Sequence, residues 1–300
     1  MGHTRRLDEL TAGDADRFGG KSAGLGELLR AEIPVPPGFA LDADATELDD
    51  ALRTELADRY AELGTGAGAG SPDPPVAVRS SAIGEDSAEA TFAGQQDTYL
   101  WVRGVDEVGE AVTRCWASLH SAEAVAYRER FHVARPAMGV TVQLMVDAAV
   151  SGVLFTCNPV TGDPSMVAIN AAWGLGLAVV GGEVTPDDYL VSKVTGEIVR
   201  ATVNDKRIEY VPAEHGTRRV EVGEDRRAAP CLDDGTIVRL VELGTGIARH
   251  FGSPQDVEWA IDRAGELFAL QSRPVTGLPQ PQAASAPTSA MALVMKRFGA

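Results

Sequence analysis

Cysteine is scarce in this 300-residue chain, and lysine nearly so. Cys115, Cys157 and Cys231 stand far apart, odd in number and without CxxC spacing. That gives no support to a zinc site or a disulfide framework. No apolar run approaches the roughly 18 residues of a membrane-spanning helix. The N-terminal MGHTRRLDEL has no apolar signal core, and Arg6 stands where a myristoylation signal needs a hydroxyl. The expected compartment is the reducing cytoplasm. Basic charge is also in deficit: 27 Lys and Arg face 43 Asp and Glu, a net −16. Nucleic acid and anionic membrane, which call for basic patches, are not the expected partners. Only Lys21, Lys193, Lys206 and Lys296 are lysines.

What is present is a chain of mixed periodicities. Leu25, Leu28 and Leu29 give a helical face after Gly19-Gly20-Lys21-Ser22, closed by PVPPG. Residues 45–63 repeat Leu48, Leu52, Leu56 and Leu63 at helical spacing. The run GTGAGAGSPDPP, 64–75, contains a GxGxxG, but proline follows where a dinucleotide-binding helix would begin, so it is expected to be a linker. Strands are expected at 76–80, 97–104, 140–146 and 151–155, and helices at 105–130 and 233–251. Residues 166–193 are expected to run strand, glycine-rich turn, strand. DVEWAIDRAGELFALQSRPVT has two alternating segments joined by DRAGE, the pattern of a hairpin. Strands and helices without a regular βα repeat predict an α+β architecture. ARPAMG, 134–139, is the expected boundary, giving a first lobe over 1–136, a second over 137–276, and a flexible tail over 277–300.

Three places carry candidate chemistry. In the hairpin, residues two apart share a sheet face, so Asp256 pairs with Glu258 and Gln271 with Arg273. A short turn brings the two pairs side by side. Two carboxylates, an amide oxygen and a guanidinium suit a nucleotide-borne Mg²⁺ and its phosphates, and equally a surface ladder of ion pairs. Lys21 lies at the start of a helix after glycines, a position suited to phosphate, although GxxxxGK[ST] spacing is missing. Arg79 ends an apolar strand before a loop containing Gly94, with Thr98 beyond it. Its alternative is an ion pair with Glu85 or Asp86.

Together, GGKSAGLGEL, VPPGFAL, VAVRSSAIGEDS, TFAGQQDTYL, VQLMV, SGVLFTCNPVTG, WGLG, PDDYLVSK and DVEWAID…LFALQSRPVT occur in the order of a known family. Over about residues 12–276 the chain resembles the nucleotide-binding domain of phosphoenolpyruvate synthase, pyruvate phosphate dikinase and rifampicin phosphotransferase. The resemblance implies an ATP-grasp fold with ATP between two lobes. By motif position it implies phosphate contacts from Lys21, Arg79 and Arg273. Gly94 and Thr98 would belong to a loop over the triphosphate, and Gln143 would lie near adenine. Glu258 and Gln271 would bind Mg²⁺, with Asp256 in support. Leu177 departs from the family's usual acid in GLGE. The family's phosphorylatable histidine motif is absent, and none of His3, His120, His132, His215 and His250 has its context. The expected function is cleavage of Mg-ATP with transfer to a histidine on a separate protein. The alternatives are direct phosphorylation of a small molecule and a non-catalytic ATP-binding module.

Overall fold

The computed structural model describes residues 2–66, 70–84, 97–119 and 137–278. Two antiparallel sheets dominate. The first contains β1 (Thr4–Arg6), β2 (Gly38–Leu41), β3 (Val76–Ala82), β4 (Thr98–Val102) and β5 (Met138–Leu144), in the order β1-β2-β5-β3-β4. Strands β3 and β5 are buried at every residue, because helices cover both faces. On one face α3 (Asp50–Thr65) and α4 (Val105–Ser118) supply Leu52, Leu56, Tyr60, Val108, Val112 and Trp116 to a core with Phe39, Val76, Val78, Val140 and Val142. On the other, α1 (Ala15–Phe18) and α2 (Gly20–Arg30) cross β3 and β5, where Ser22 and Thr141 share a buried 2.7 Å hydroxyl contact.

The second sheet contains β6 (Ala148–Phe155), β7 (Met166–Trp173), β8 (Asp187–Ser192), β9 (Ile198–Thr202), β12 (Gln255–Asp262) and β13 (Leu267–Pro274), in the order β13-β12-β6-β7-β8-β9. A separate hairpin, β10 (Ile208–Pro212) and β11 (Thr217–Glu221), reaches back toward the first sheet: its tip places His215 Nδ1 3.1 Å from Glu107 Oε1 on α4. The remaining helices are α5 (Leu177–Val180), α6 (Glu224–Arg227) and α7 (Asp234–Phe251). Ile237, Leu240, Leu243 and Ile247 of α7 pack on the second sheet with Leu25 and Leu28 of α2, Val257 and Trp259. α2 therefore serves both sheets.

Several expectations shift. The helix expected from residue 45 starts at Asp50, because Asp49 caps it by accepting from the Leu52 N–H at 2.8 Å. Of the helix expected over 105–130, Val105–Ser118 is helical, and residues 120–136, with Val125 and Tyr127, lie outside the described residues. The larger correction concerns the lobes. β5 was expected to open the second lobe, yet it pairs with β2 and β3 at the centre of the first sheet. The chain passes between sheets at Met145–Asp147, so a division after residue 136 removes the first sheet's central strand. Strands β9, β10 and β11 had no expectation: β9 is half-buried at Ile198 and exposed throughout the rest, so it lacks an apolar alternation to find.

Candidate functional site

The two sheets meet around Arg79. It lies on β3, opposite Thr98 of β4 in register, and it is almost fully buried. Its guanidinium crosses to the other sheet. Nη1 donates to the Leu270 carbonyl at 2.8 Å, and Nη2 donates to Glu258 Oε2 at 3.0 Å and Gln271 Oε1 at 2.6 Å. Nε is buried with no hydrogen-bond partner. The expected alternatives, Glu85 and Asp86, lie outside the described residues, as does Gly94.

The hairpin forms as the alternation requires. Asp256 stands opposite Arg273, and Glu258 opposite Gln271. The turn closes with Gly265 at φ +86° and the Asp262 N–H donating to the Glu266 carbonyl. A bulge after Glu258 shifts the register only beyond the four site residues. Arg273 Nε donates to Asp256 Oδ2 at 2.8 Å. Burial raises the Asp256 carboxyl pKa above the usual carboxylate range, the Arg273 charge opposes this, and the neighbouring Glu258 adds to it.

Lys21 sits in the first turn of α2, with Nζ donating to the Ser80 carbonyl at 3.0 Å, next in chain to Arg79. Gly19 makes that approach possible. Its φ is +81°, and a Cβ there would lie 2.2 Å from the Ser81 carbonyl oxygen. Lys21 is thus placed on the β3 backbone, while Arg79 reaches across to the hairpin.

A cavity of about 170 Å³ opens between the sheets, bounded at one side by Arg79, Glu258 and Thr98. The rest of its wall is mostly apolar, including Ala77, Leu100, Met145, Val146, Leu175 and Leu177. Gln143 lines it too, with Nε2 held by the Pro36 carbonyl at 3.1 Å. The wall thus combines one charged pair, Arg79 and Glu258, with a mostly apolar remainder. Sequence reasoning missed the carbonyls of Ser80 and Leu270, which carry no side-chain signature. It noticed Leu177 only as a departure; here Leu177 opens α5 and forms part of the apolar wall.

No group of three or more His, Cys, Asp or Glu gathers as a metal cage among the described residues. The donor set that does exist is one carboxylate and one amide oxygen, both converging on a cation, Arg79 Nη2. Two protein oxygens fit Mg²⁺ of the kind that keeps water and substrate phosphates as its other ligands.

A family model described as pyruvate phosphate dikinase, AMP/ATP-binding domain, matches residues 44–292. The chain is 40% identical over 316 aligned positions to a probable phosphoenolpyruvate synthase of Methanothermobacter thermautotrophicus, covering 91% of this chain and 46% of that protein. It is 36% identical to the phosphoenolpyruvate synthase of Pyrococcus furiosus, covering 91% and 44%. The chain thus spans less than half the length of these relatives. Among solved structures, PH1788 from Pyrococcus horikoshii aligns over 91% of this chain and 97% of its own at 12% identity and a TM-score of 0.42, too slight a likeness to bear on function.

Proposed function

This chain belongs to the pyruvate phosphate dikinase AMP/ATP-binding domain family, and we propose that it binds Mg-ATP in the cleft between its sheets and passes a phosphoryl group to a histidine on a separate protein. The observation that carries the reading is the polarity of the cleft: Arg79 and Glu258 are set into a mostly apolar wall, with Gln271 bonded to Arg79 Nη2. The apolar part of the wall takes the base beside Gln143 and Met145. The triphosphate runs toward Lys21, Arg79 and Arg273, past Thr98.

Glu258 and Gln271 would hold Mg²⁺, which when bound spreads the charge of the triphosphate. The protein's own part is positional. Arg79 and Arg273 orient phosphate oxygens as planar donors. Asp256 fixes the fork of Arg273 through its Nε–H. The apolar wall excludes water, which strengthens each charged contact. A partner's imidazole nitrogen then attacks phosphorus as the bond to the leaving phosphate opens.

Calorimetry with Mg-ATP tests the binding step. Lys21→Ala and Arg79→Ala are each expected to weaken it by about 1.5–3 kcal/mol, the scale of a charged hydrogen bond; unchanged affinity in both removes the proposed phosphate end. Incubation with labelled ATP and a phosphohistidine-domain protein tests the transfer. Label is expected on that protein in an acid-labile, base-stable bond. Full-rate phosphorylation of a small molecule with no partner present would instead make the chain a direct kinase.

A further inference from the structure

Arg79 belongs to the first sheet, and among the described residues its guanidinium bonds to Leu270, Glu258 and Gln271 of the second. The two oxygens that meet at Nη2 are those of Glu258 and Gln271, the pair assigned above to the metal. A guanidinium nitrogen within 2.6 and 3.0 Å of both leaves no room there for a divalent ion and its water. The same side chain cannot hold this contact and also turn its fork to phosphate. We propose that Arg79 is a tethered counter-cation, filling the metal position while the nucleotide is absent and giving it up when Mg²⁺ arrives with ATP. This rests on the metal and phosphate assignments of the preceding section.

Three observations support exchange rather than a permanent structural pair. Arg79 and Glu258 both line the open cleft, so an incoming ligand meets them directly. Arg79 Nε is buried without an acceptor, so the present arrangement leaves donor capacity unused. The Glu258 side chain is 27% exposed, more than twice the 12% of Asp256 beside it, so it remains partly open to solvent. The arrangement does two things. It neutralises a carboxylate at the sheet junction when no metal is present, and it makes free divalent ions poor ligands. Only metal that brings phosphates supplies the guanidinium with a replacement partner. Arg79 is then released from Leu270, Glu258 and Gln271 together, so loading the cleft removes a cross-link between the sheets.

The test uses Mn²⁺ without nucleotide, followed by the loss of its free-ion paramagnetic resonance signal. Arg79→Met keeps the length and apolar stem but removes the cation. It is expected to bind Mn²⁺ about ten- to hundredfold more tightly than wild type, as the loss of competing charged hydrogen bonds implies. Adding Glu258→Gln to Arg79→Met should abolish that gain. Lys21→Met is the control, since Lys21 donates to the Ser80 carbonyl of the first sheet. Equal tightening in Lys21→Met would mean general electrostatics and would overturn exchange. So would Mn²⁺ affinity in Arg79→Met equal to wild type, with folding verified by circular dichroism. Because ATP is absent, these outcomes are separate from the calorimetric test of nucleotide binding. Arg79→Met is expected to weaken Mg-ATP binding while strengthening binding of the bare metal, opposite signs that a purely structural arginine would not give.

Discussion

Lys206 Nζ lies 2.6 Å from Asp187 Oδ1, and neither side chain has any solvent-exposed surface. The pair is fully built around. Asp187 also accepts from the backbone N–H groups of Asn204 and Cys231, each at 2.9 Å, and Lys206 donates to the Asn204 carbonyl at 2.8 Å. It fixes the start of β8 to the segments around Asn204 and Cys231.

Lys206→Met should therefore destabilise the protein by about 3–5 kcal/mol, because Asp187 is left buried and charged without its partner. Urea unfolding measures this. Converting both residues, Lys206→Met with Asp187→Leu, should recover much of the loss, since a buried pair replaced by apolar groups is often neutral. A single variant as stable as wild type would show that water reaches Asp187.

Gly19→Ala should lower stability more than Gly84→Ala. Both glycines have positive φ, +81° and +78°. Strain of that kind costs on the order of 1–3 kcal/mol. Gly19 also has an overlap, 2.2 Å from the Ser81 carbonyl, whereas among the described residues nothing lies within 4 Å of a Cβ on Gly84. Thermal unfolding of the two variants separates strain from contact. Gly19→Ala should also weaken ATP binding by displacing Lys21, whereas a shift confined to melting temperature would detach α2 from the phosphate end.

Asp256 gives a pH dependence of unusual sign for a carboxylate. Burial raises its folded pKa above the unfolded one. A raised group contributes its full stability below the unfolded pKa and loses it as pH climbs through the folded value. At neutral pH its ionisation therefore costs stability, the Arg273 contact offsetting only part of the cost of burial. Asp256→Asn should be at least as stable as wild type at pH 7, with the difference vanishing near pH 4 and below. Its affinity for ATP should nevertheless fall, because Arg273 loses its charged anchor. Chemical denaturation across pH, beside calorimetry, checks both halves. A variant less stable at pH 7 than at pH 4, relative to wild type, contradicts the sign.

What the sequence made legible follows from local rules. Two-residue alternation and the five-residue turn Asp262–Glu266 were enough to bring Asp256 and Glu258 alongside Gln271 and Arg273, with Glu258 beside Gln271; the pairing of Asp256 with Arg273 came from the register. The α+β architecture was legible for the same reason, as was α7, with Asp233 ahead of it and Gly252 after it. The partner of Arg79 was not. Acids a few positions along the chain looked sufficient, and the observed carboxylate is 179 positions away on another sheet. The placement of β5 failed similarly. The ARPAMG stretch suggested a lobe boundary ahead of it, but antiparallel pairing with β2 and β3 depends on an open slot between them that no local pattern marks. The buried Lys206 was visible only as one of four lysines, a rarity that says nothing about depth.

The late arrival of β5 has a consequence for synthesis. While only residues before 138 have emerged from a ribosome, β1 can pair with β2 and β3 with β4, but nothing joins those two ribbons. Each then shows an inner edge, on β2 or on β3, that the finished sheet covers, a template for pairing with another chain. Met138–Leu144 closes both edges at once, with Gly38 meeting Gln143 across more than a hundred residues. Such distant pairing is slow. The nascent first half is therefore the stretch that most needs protection from aggregation, and any attempt to express the two sheets as separate pieces should cut the chain after Leu144.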